Sequence, residues 1–159
     1  GTVYENITLK DSSIPMEKVI EAAKKIGADD YITRLPDGYQ FMVTERGSNL
    51  SVGQRQLISF VRALVVDPDI LILDEATRSI DTETEMVIQH AIEKSIEKRS
   101  SIIIAHRLST IRHADFILVM DQGKAVESGS HEALLEKENG RYRELYEMQD
   151  AAIVSSSEI

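Results

Sequence analysis

Four bulky apolar residues, Ile70 to Leu73, are followed at once by two carboxylates, Asp74 and Glu75. Such an apolar run is typical of a strand buried on both faces, as in a parallel sheet covered by helices. Ligands of open α/β sheets collect beyond the carboxyl ends of the strands, where both acids would stand. The pair suits a Mg²⁺ ligand followed by a residue that orients or deprotonates water, as nucleoside triphosphate hydrolysis requires. Taken alone, the pattern slightly favours a core strand that runs into an acidic surface turn.

Length and charge narrow the class of protein. The chain of 159 residues fits one domain and can bury a core. Its 18 basic and 27 acidic residues give a net charge of −9, which argues against nucleic acid or an anionic membrane surface as the main partner. The net charge does not exclude a nucleotide, because binding a nucleotide requires only a local cluster of hydrogen-bond donors. The chain has no cysteine, which excludes disulfides and thiolate metal sites, and its longest apolar runs are far shorter than a membrane span.

The segment before the acid-tipped strand predicts a capped helix. Ser51 is a good N-cap and Gln54 stands in the capping-box position. The predicted buried stripe of this helix consists of Leu57, Ile58, Val61, Leu64 and Val65. A capped helix start can bind an anion, although most Ser-x-x-Gln matches are only well-capped helices. Because the strand follows directly after Asp67-Pro68, the sequence predicts one compact helix–strand unit.

The flanking segments complete a mixed α/β pattern. Residues 1–50 predict a short helix at Val3 to Ile7, a helix from Pro15 that stops at Gly27, and another from Asp29 to Leu35, together a small helical subdomain. Asp81 is expected to cap a helix that extends to Ile96.

Beyond that helix, Ser101 to Ala105 predicts a second buried strand that ends in His106. By itself this histidine is more typical of a hydrogen-bonded framework residue. Phe116 to Met120 predicts a third strand, which turns at Gln122-Gly123 into a hairpin. Two short helices should follow, around Leu134 and from Tyr142 to Met148.

Four segments in order resemble the ATP-binding cassette family. Leu50-Ser51-Val52-Gly53-Gln54, Ile70 to Glu75, Ser79-Ile80-Asp81 and His106 are similar to its signature motif, Walker B strand, D-loop and switch histidine, at typical spacing. The resemblance covers essentially the whole chain. Flanking phrases are similar to exporters in which the ATPase follows a membrane domain: Gly1 to Ile7, Glu45 to Asn49, Ile104 to Thr110, and Glu127 to Glu132.

The resemblance implies a fold and its organisation. The expected fold is α/β, a parallel-sheet P-loop NTPase-like core without its phosphate-loop strand, with a small helical signature subdomain. Residues 1–50 would form the helical segment, 51–150 the ATPase core segment, and 151–159 a disordered tail. The expected location is the cytoplasmic face of the membrane, through a fused membrane domain.

The resemblance also implies the cofactors ATP and Mg²⁺ and a role for each motif. Asp74 would hold Mg²⁺ through its water shell, Glu75 would orient the attacking water, and His106 would contact the γ-phosphate. The segment Ser51, Val52, Gly53 and Gln54 would bind the γ-phosphate of an ATP held mainly by a second nucleotide-binding domain, in a head-to-tail dimer. Asp81 would bridge that dimer, and the transmembrane domain would be contacted near Glu45.

Two departures from the family pattern stand out. Val52 occupies a position where the family most often has Gly, and we expect only tuning from it. The second concerns the phosphate loop, because nothing in the sequence matches Gly-x-x-x-x-Gly-Lys-[Ser/Thr]. We therefore expect the chain to be the C-terminal portion of an ATPase and to be inactive by itself. Without the phosphate-loop strand, the strand that ends at His106 and the strand that begins at Phe116 should each have an unpaired edge, and apolar surface should be uncovered.

Two other readings remain open at this point. ATPases of DNA maintenance share the signature, Walker B and histidine motifs, but they separate them by long coiled coils, and the flanking phrases favour exporters. The second alternative belongs to a different functional class: a non-catalytic interaction module that contributes its signature motif to a partner. The presence of Asp74, Glu75 and His106 argues for a catalytic parent protein.

Overall fold

The computed structural model describes residues 1–74, 82–97, 99–105 and 108–156. The chain divides into two compact units, Gly1–Ile103 and Ile104–Ile159. This division differs from the boundary expected after residue 50, because the helical segment and the acid-tipped strand share one core. No helix in the described ranges is long and apolar enough to cross a membrane.

The first unit begins with short helices. They are α1 (Val3–Thr8), α2 (Met16–Lys25) and α3 (Asp29–Thr33), followed by two 3₁₀ turns at Gly38–Gln40 and Glu45–Gly47. Thr2 and Glu5 form a reciprocal capping box at the start of α1. The chain leaves α2 through Gly27, whose φ of 70° is left-handed, so the predicted helix stop is confirmed.

The remainder of the first unit is the predicted helix–strand unit. It contains α4 (Val52–Val65), β1 (Ile70–Asp74), α5 (Thr82–Ile96) and β2 (Ser100–Ile104). β1 and β2 form a small parallel two-stranded sheet. The five residues predicted for the stripe of α4 are all buried, in one cluster with Val3, Val19, Leu71 and Ile88. Packing of α1, α2 and α5 against α4 makes this helix the centre of the unit.

The second unit is built on the predicted hairpin. It contains α6 (Leu108–Ile111), β3 (Ile117–Asp121), β4 (Lys124–Gly129), α7 (His131–Glu136) and α8 (Arg141–Ser156). β3 and β4 pair antiparallel. Gln122 and Gly123 have φ of 46° and 76°, as the tight two-residue hairpin turn requires. Val119, Leu134 and Tyr142 form the core of this unit.

The predicted burial of the strands on both faces is wrong for this chain. Leu71 and Leu73 are buried, whereas Ile70 and Ile72 are 62% and 67% exposed. Ile102 and Ile104 of β2 are exposed as well. In the part of the chain that the structure describes, packing covers one face of this sheet only. The α/β class itself is confirmed, with the helical signature region and a parallel strand pair.

Several element boundaries differ from expectation: β2 lies one residue earlier in the chain than predicted, and β3 one residue later. α3 ends at Thr33, two residues before Leu35. The helical backbone of α8 continues to Ser156, and the disordered tail expected for residues 151–159 stays a prediction.

Candidate functional site

The start of α4 has the reciprocal cap that the sequence predicts. The backbone N–H of Gln54 donates to Ser51 Oγ at 3.1 Å, and the backbone N–H of Ser51 donates to Gln54 Oε1 at 2.9 Å. Ser51 is extended, with φ −65° and ψ 163°, and the helix begins at the next residue. The hydroxyl proton of Ser51 is not used by the cap, because its oxygen is the acceptor. Ser51 can therefore donate to a ligand while the cap stays closed.

The same helix start offers donors to an anion. Helix geometry leaves the N–H groups of Val52 and Gly53 without an intrahelical acceptor. No acidic residue lies in the first turn of α4, so nothing there neutralises the positive end of the helix dipole. Val52 is 43% exposed. These features suit a phosphate oxygen, and they belong to one contiguous segment, residues 51–54.

The loop that leads into α4 is held by two side chains that the sequence analysis did not single out. Arg55 Nη1 donates to the carbonyl oxygens of Gly47 and Leu50, at 3.0 and 2.6 Å. Asn49 Oδ1 accepts from the N–H of Thr44 at 3.0 Å, and Asn49 Nδ2 donates to Met42 O at 2.9 Å. In the sequence, the only indication of these contacts is a polar residue in the loop, Asn49, and an arginine close to the N-cap, Arg55.

Asp74 is the last residue of β1. Leu71 and Leu73 anchor the strand in the core, and the Asp74 side chain is exposed beyond it. A carboxylate oxygen suits Mg²⁺, which proteins often hold through one or two carboxylates together with substrate phosphates. The described residues contain no cluster of three or more His, Asp or Glu side chains that could hold a metal by themselves. The donor chemistry of the Asp74 carboxylate is compatible with a magnesium ion that phosphate oxygens also bind.

Three predicted site residues lie outside the described residues. They are Glu75, Asp81 and His106, so their predicted roles stay predictions. Among the described residues, the structure brings Ser51, Val52, Gly53 and Gln54 together, and none of the described hydrogen bonds joins Asp74 to them.

A cavity of about 340 Å³ lies beside this loop. Glu45, Arg46 and Arg55 line it, together with Asn6 and Ile58. It does not include residues 51–54. The residue expected to face a membrane domain, Glu45, thus lies at a concave surface of the first unit.

Comparison with known proteins identifies the family. The family model described as ABC transporter matches residues 1–78. The chain is 52% identical over 149 residues to the uncharacterized ABC transporter ATP-binding protein YknV of Bacillus subtilis, covering 94% of this chain and 24% of that protein. It is 50% identical over 148 residues to the leukotoxin export ATP-binding protein LtxB of Aggregatibacter actinomycetemcomitans, covering 93% of this chain and 21% of that protein.

A solved structure agrees with the sequence relatives. The fold matches a bacterial Atm1-family ABC exporter with ATP bound, with a TM-score of 0.80 and 43% identity, covering 93% of this chain and 26% of that one. The chain therefore spans about a quarter of the length of the relatives it matches. From the four motifs, the fold and these relatives we conclude that the chain belongs to the ABC transporter family, in the ATP-binding region of its exporter type.

Proposed function

We propose that this region binds ATP and Mg²⁺ and hydrolyses ATP as part of a full-length exporter. Asp74 is the residue that would hold Mg²⁺, Glu75 orients and deprotonates the attacking water, and His106 contacts the γ-phosphate. Mg²⁺ supplies neutralisation of the phosphate charge. The exposed carboxylate of Asp74 at the end of a strand supports the first of these roles.

The start of α4 acts on a second ATP. Ser51, Gly53 and Gln54 meet the γ-phosphate of a nucleotide held mainly by a second nucleotide-binding domain, and Asp81 bridges the two domains. Val52 adds an exposed apolar side chain next to that contact and tunes it. The observation that carries the proposal is the capped helix start, with a free Ser51 hydroxyl proton, unpaired N–H groups and no acid in its first turn.

The cavity beside Glu45 is the proposed contact with the transmembrane domain. With this contact, the region lies at the cytoplasmic face of the membrane in the full-length protein. Similarity to the probable multidrug resistance ABC transporter ATP-binding/permease protein YheH of Bacillus subtilis supports a membrane-domain partner. The pairing of two nucleotide-binding domains couples hydrolysis to export.

Removal of the base tests the proposal. In the full-length exporter, Glu75→Gln keeps the side-chain shape but removes the base, so ATP turnover falls at least ~10²-fold while ATP binding remains. His106→Ala lowers turnover far more than binding. The measurements are steady-state phosphate release and equilibrium ATP binding on the same preparations. Near-normal turnover in Glu75→Gln would show that another group is the catalytic carboxylate.

A further inference from the structure

The loop before α4 contains a turn that its own residues do not favour. Arg46 and Gly47 have φ of 57° and 67°, two left-handed residues in succession. Arg46 carries a Cβ, so this conformation needs support from contacts elsewhere. The support comes from Arg55, one turn inside α4, which donates from one nitrogen to the carbonyl oxygens of Gly47 and Leu50.

We infer that Arg55 is a positioning residue, which fixes residues 47–50 and thereby presents Ser51 and the start of α4 to the γ-phosphate. The inference rests on the proposed function for its phosphate ligand, but its geometry stands on the loop alone. We call the three groups Arg55 Nη1, Gly47 O and Leu50 O the Arg55 tether. Because one nitrogen joins both carbonyls, a displacement at Gly47 moves Leu50, which precedes Ser51.

Packing around Gly47 shows that the Arg55 side chain is seated closely against the turn. A Cβ added to Gly47 would lie 2.8 Å from Arg55 Cδ and 3.2 Å from Arg55 Cγ. The stem of Arg55 thus occupies the space that a side chain at residue 47 would need. Contact and hydrogen bonds together leave the turn little freedom.

Asn49 holds the other side of the loop through hydrogen bonds. Its amide accepts from the backbone N–H and the hydroxyl of Thr44, at 3.0 and 2.9 Å, and donates to Met42 O. Glu45 and Arg46 lie between the Asn49 hydrogen bonds and the Arg55 tether, at the wall of the 340 Å³ cavity. The Arg55 tether is therefore a direct link between the cavity wall and the phosphate-facing end of α4.

Hydrogen exchange on the 159-residue chain tests the tether without nucleotide. The informative amides are those of Thr44, Gly47, Leu50 and Ser51, all of which are hydrogen-bonded in this loop. Arg55→Gln is expected to speed their exchange at least ~10-fold and to leave the amides in the middle of α4 within ~2-fold. Arg55→Lys, which keeps the charge but lacks the planar fork, gives an intermediate rate.

The matched control is Arg99→Gln. Arg99 also has a mostly buried side chain and donates to a backbone carbonyl, Pro68 O at 3.2 Å, at the opposite end of α4. Its loss should leave the loop amides unchanged. Equal acceleration in Arg55→Gln and Arg99→Gln, or no local acceleration in either Arg55 variant, would overturn the inference.

Turnover by the full-length exporter supplies the functional arm. Arg55→Gln should lower kcat at least ~10-fold with the KM for ATP changed less than ~3-fold, because the other domain holds most of the nucleotide, and Arg55→Lys should recover part of the loss. Faster exchange with unchanged kcat would reduce Arg55 to a structural contact and overturn the positioning role. Failure of the proposed function would instead appear as undiminished turnover in Glu75→Gln, whatever the exchange result.

Discussion

At the scale of single residues, Gly47 shows how one position satisfies two constraints. Its φ of 67° is left-handed, and the Arg55 stem lies where a Cβ would be. Gly47→Ala should therefore destabilise the first unit by about 1–2 kcal/mol from the backbone conformation, and further through displacement of Arg55. Urea unfolding measures the loss.

The control for this prediction is Gly123→Ala. Gly123 has a similar φ of 76°, but nothing lies within 4 Å of an added Cβ. Its substitution isolates the cost of the backbone conformation. If both variants lose the same free energy of unfolding, the Arg55 side chain moves aside freely and does not constrain the turn.

Single residues also show what the sequence could and could not predict. The cap at Ser51 was predictable because its two hydrogen bonds join residues three apart, whose types define the motif. The Arg55 tether was not predictable, because it depends on the left-handed conformation of Arg46. The residue type at position 46 does not indicate that conformation. The catalytic roles of Glu75 and His106 stay predictions: the acid pair after the apolar run and the motif resemblance indicate the first, and the resemblance alone indicates the second.

At the scale of elements, α8 is joined to the hairpin by a carboxylate. Glu127 of β4 accepts from the backbone N–H groups of Arg141 and Tyr142, at 3.0 and 2.9 Å, and pairs with Lys137 at 3.1 Å. The bond from the Tyr142 N–H is the main cause that lowers the pKa of Glu127 below its ordinary value. Although the side chain is only 8% exposed, it remains ionised because these donors replace water.

This arrangement predicts a pH-dependent contribution of Glu127. A lowered pKa in the folded state means that the stabilisation is fully present above the unfolded pKa and is lost as the pH falls through the folded pKa. Glu127→Gln should destabilise the first turn of α8 at neutral pH, and its difference from the unsubstituted chain should shrink toward zero in acid. Hydrogen exchange of residues 143–148 at pH 7 and pH 3 checks it.

Glu144→Gln is the comparison for Glu127→Gln. Glu144 makes an ion pair with Arg141 at 2.6 Å, but both side chains are exposed, so its loss should have little effect at either pH. A difference between the Glu127 variant and the unsubstituted chain that is the same at both pH values would contradict the account.

At the scale of the whole molecule, a set of apolar strand residues is exposed to solvent. Ile70, Ile72, Ile102 and Ile104 are all more than half exposed, as are Phe116, Leu118 and Met120 near and on β3. The apolar runs in the sequence predict the presence of these strands correctly. They do not indicate which elements cover each face of the sheet. The observed exposure agrees with the expectation of uncovered apolar surface.

Such surfaces favour association of the 159-residue chain. Ile72→Thr combined with Ile102→Thr keeps strand propensity and removes apolar area, so self-association should weaken at least ~10-fold. Sedimentation over a range of concentrations measures it. Met86→Gln is the control, since Met86 is similarly exposed but lies on α5. The prediction would be refuted if the unsubstituted chain is already a monomer, or if Met86→Gln weakens self-association equally.

In the proposed function, the start of α4 meets the γ-phosphate of an ATP held by a second domain. Hydrogen exchange of the Val52 and Gly53 amides in the full-length exporter, with Glu75→Gln to prevent turnover, tests it most directly. These N–H groups have no intrahelical acceptor, so only a ligand or a partner can protect them. We predict that saturating Mg-ATP slows their exchange at least ~10-fold relative to Mg-ADP. Unchanged exchange at both amides, with ATP demonstrably bound, would contradict the claim.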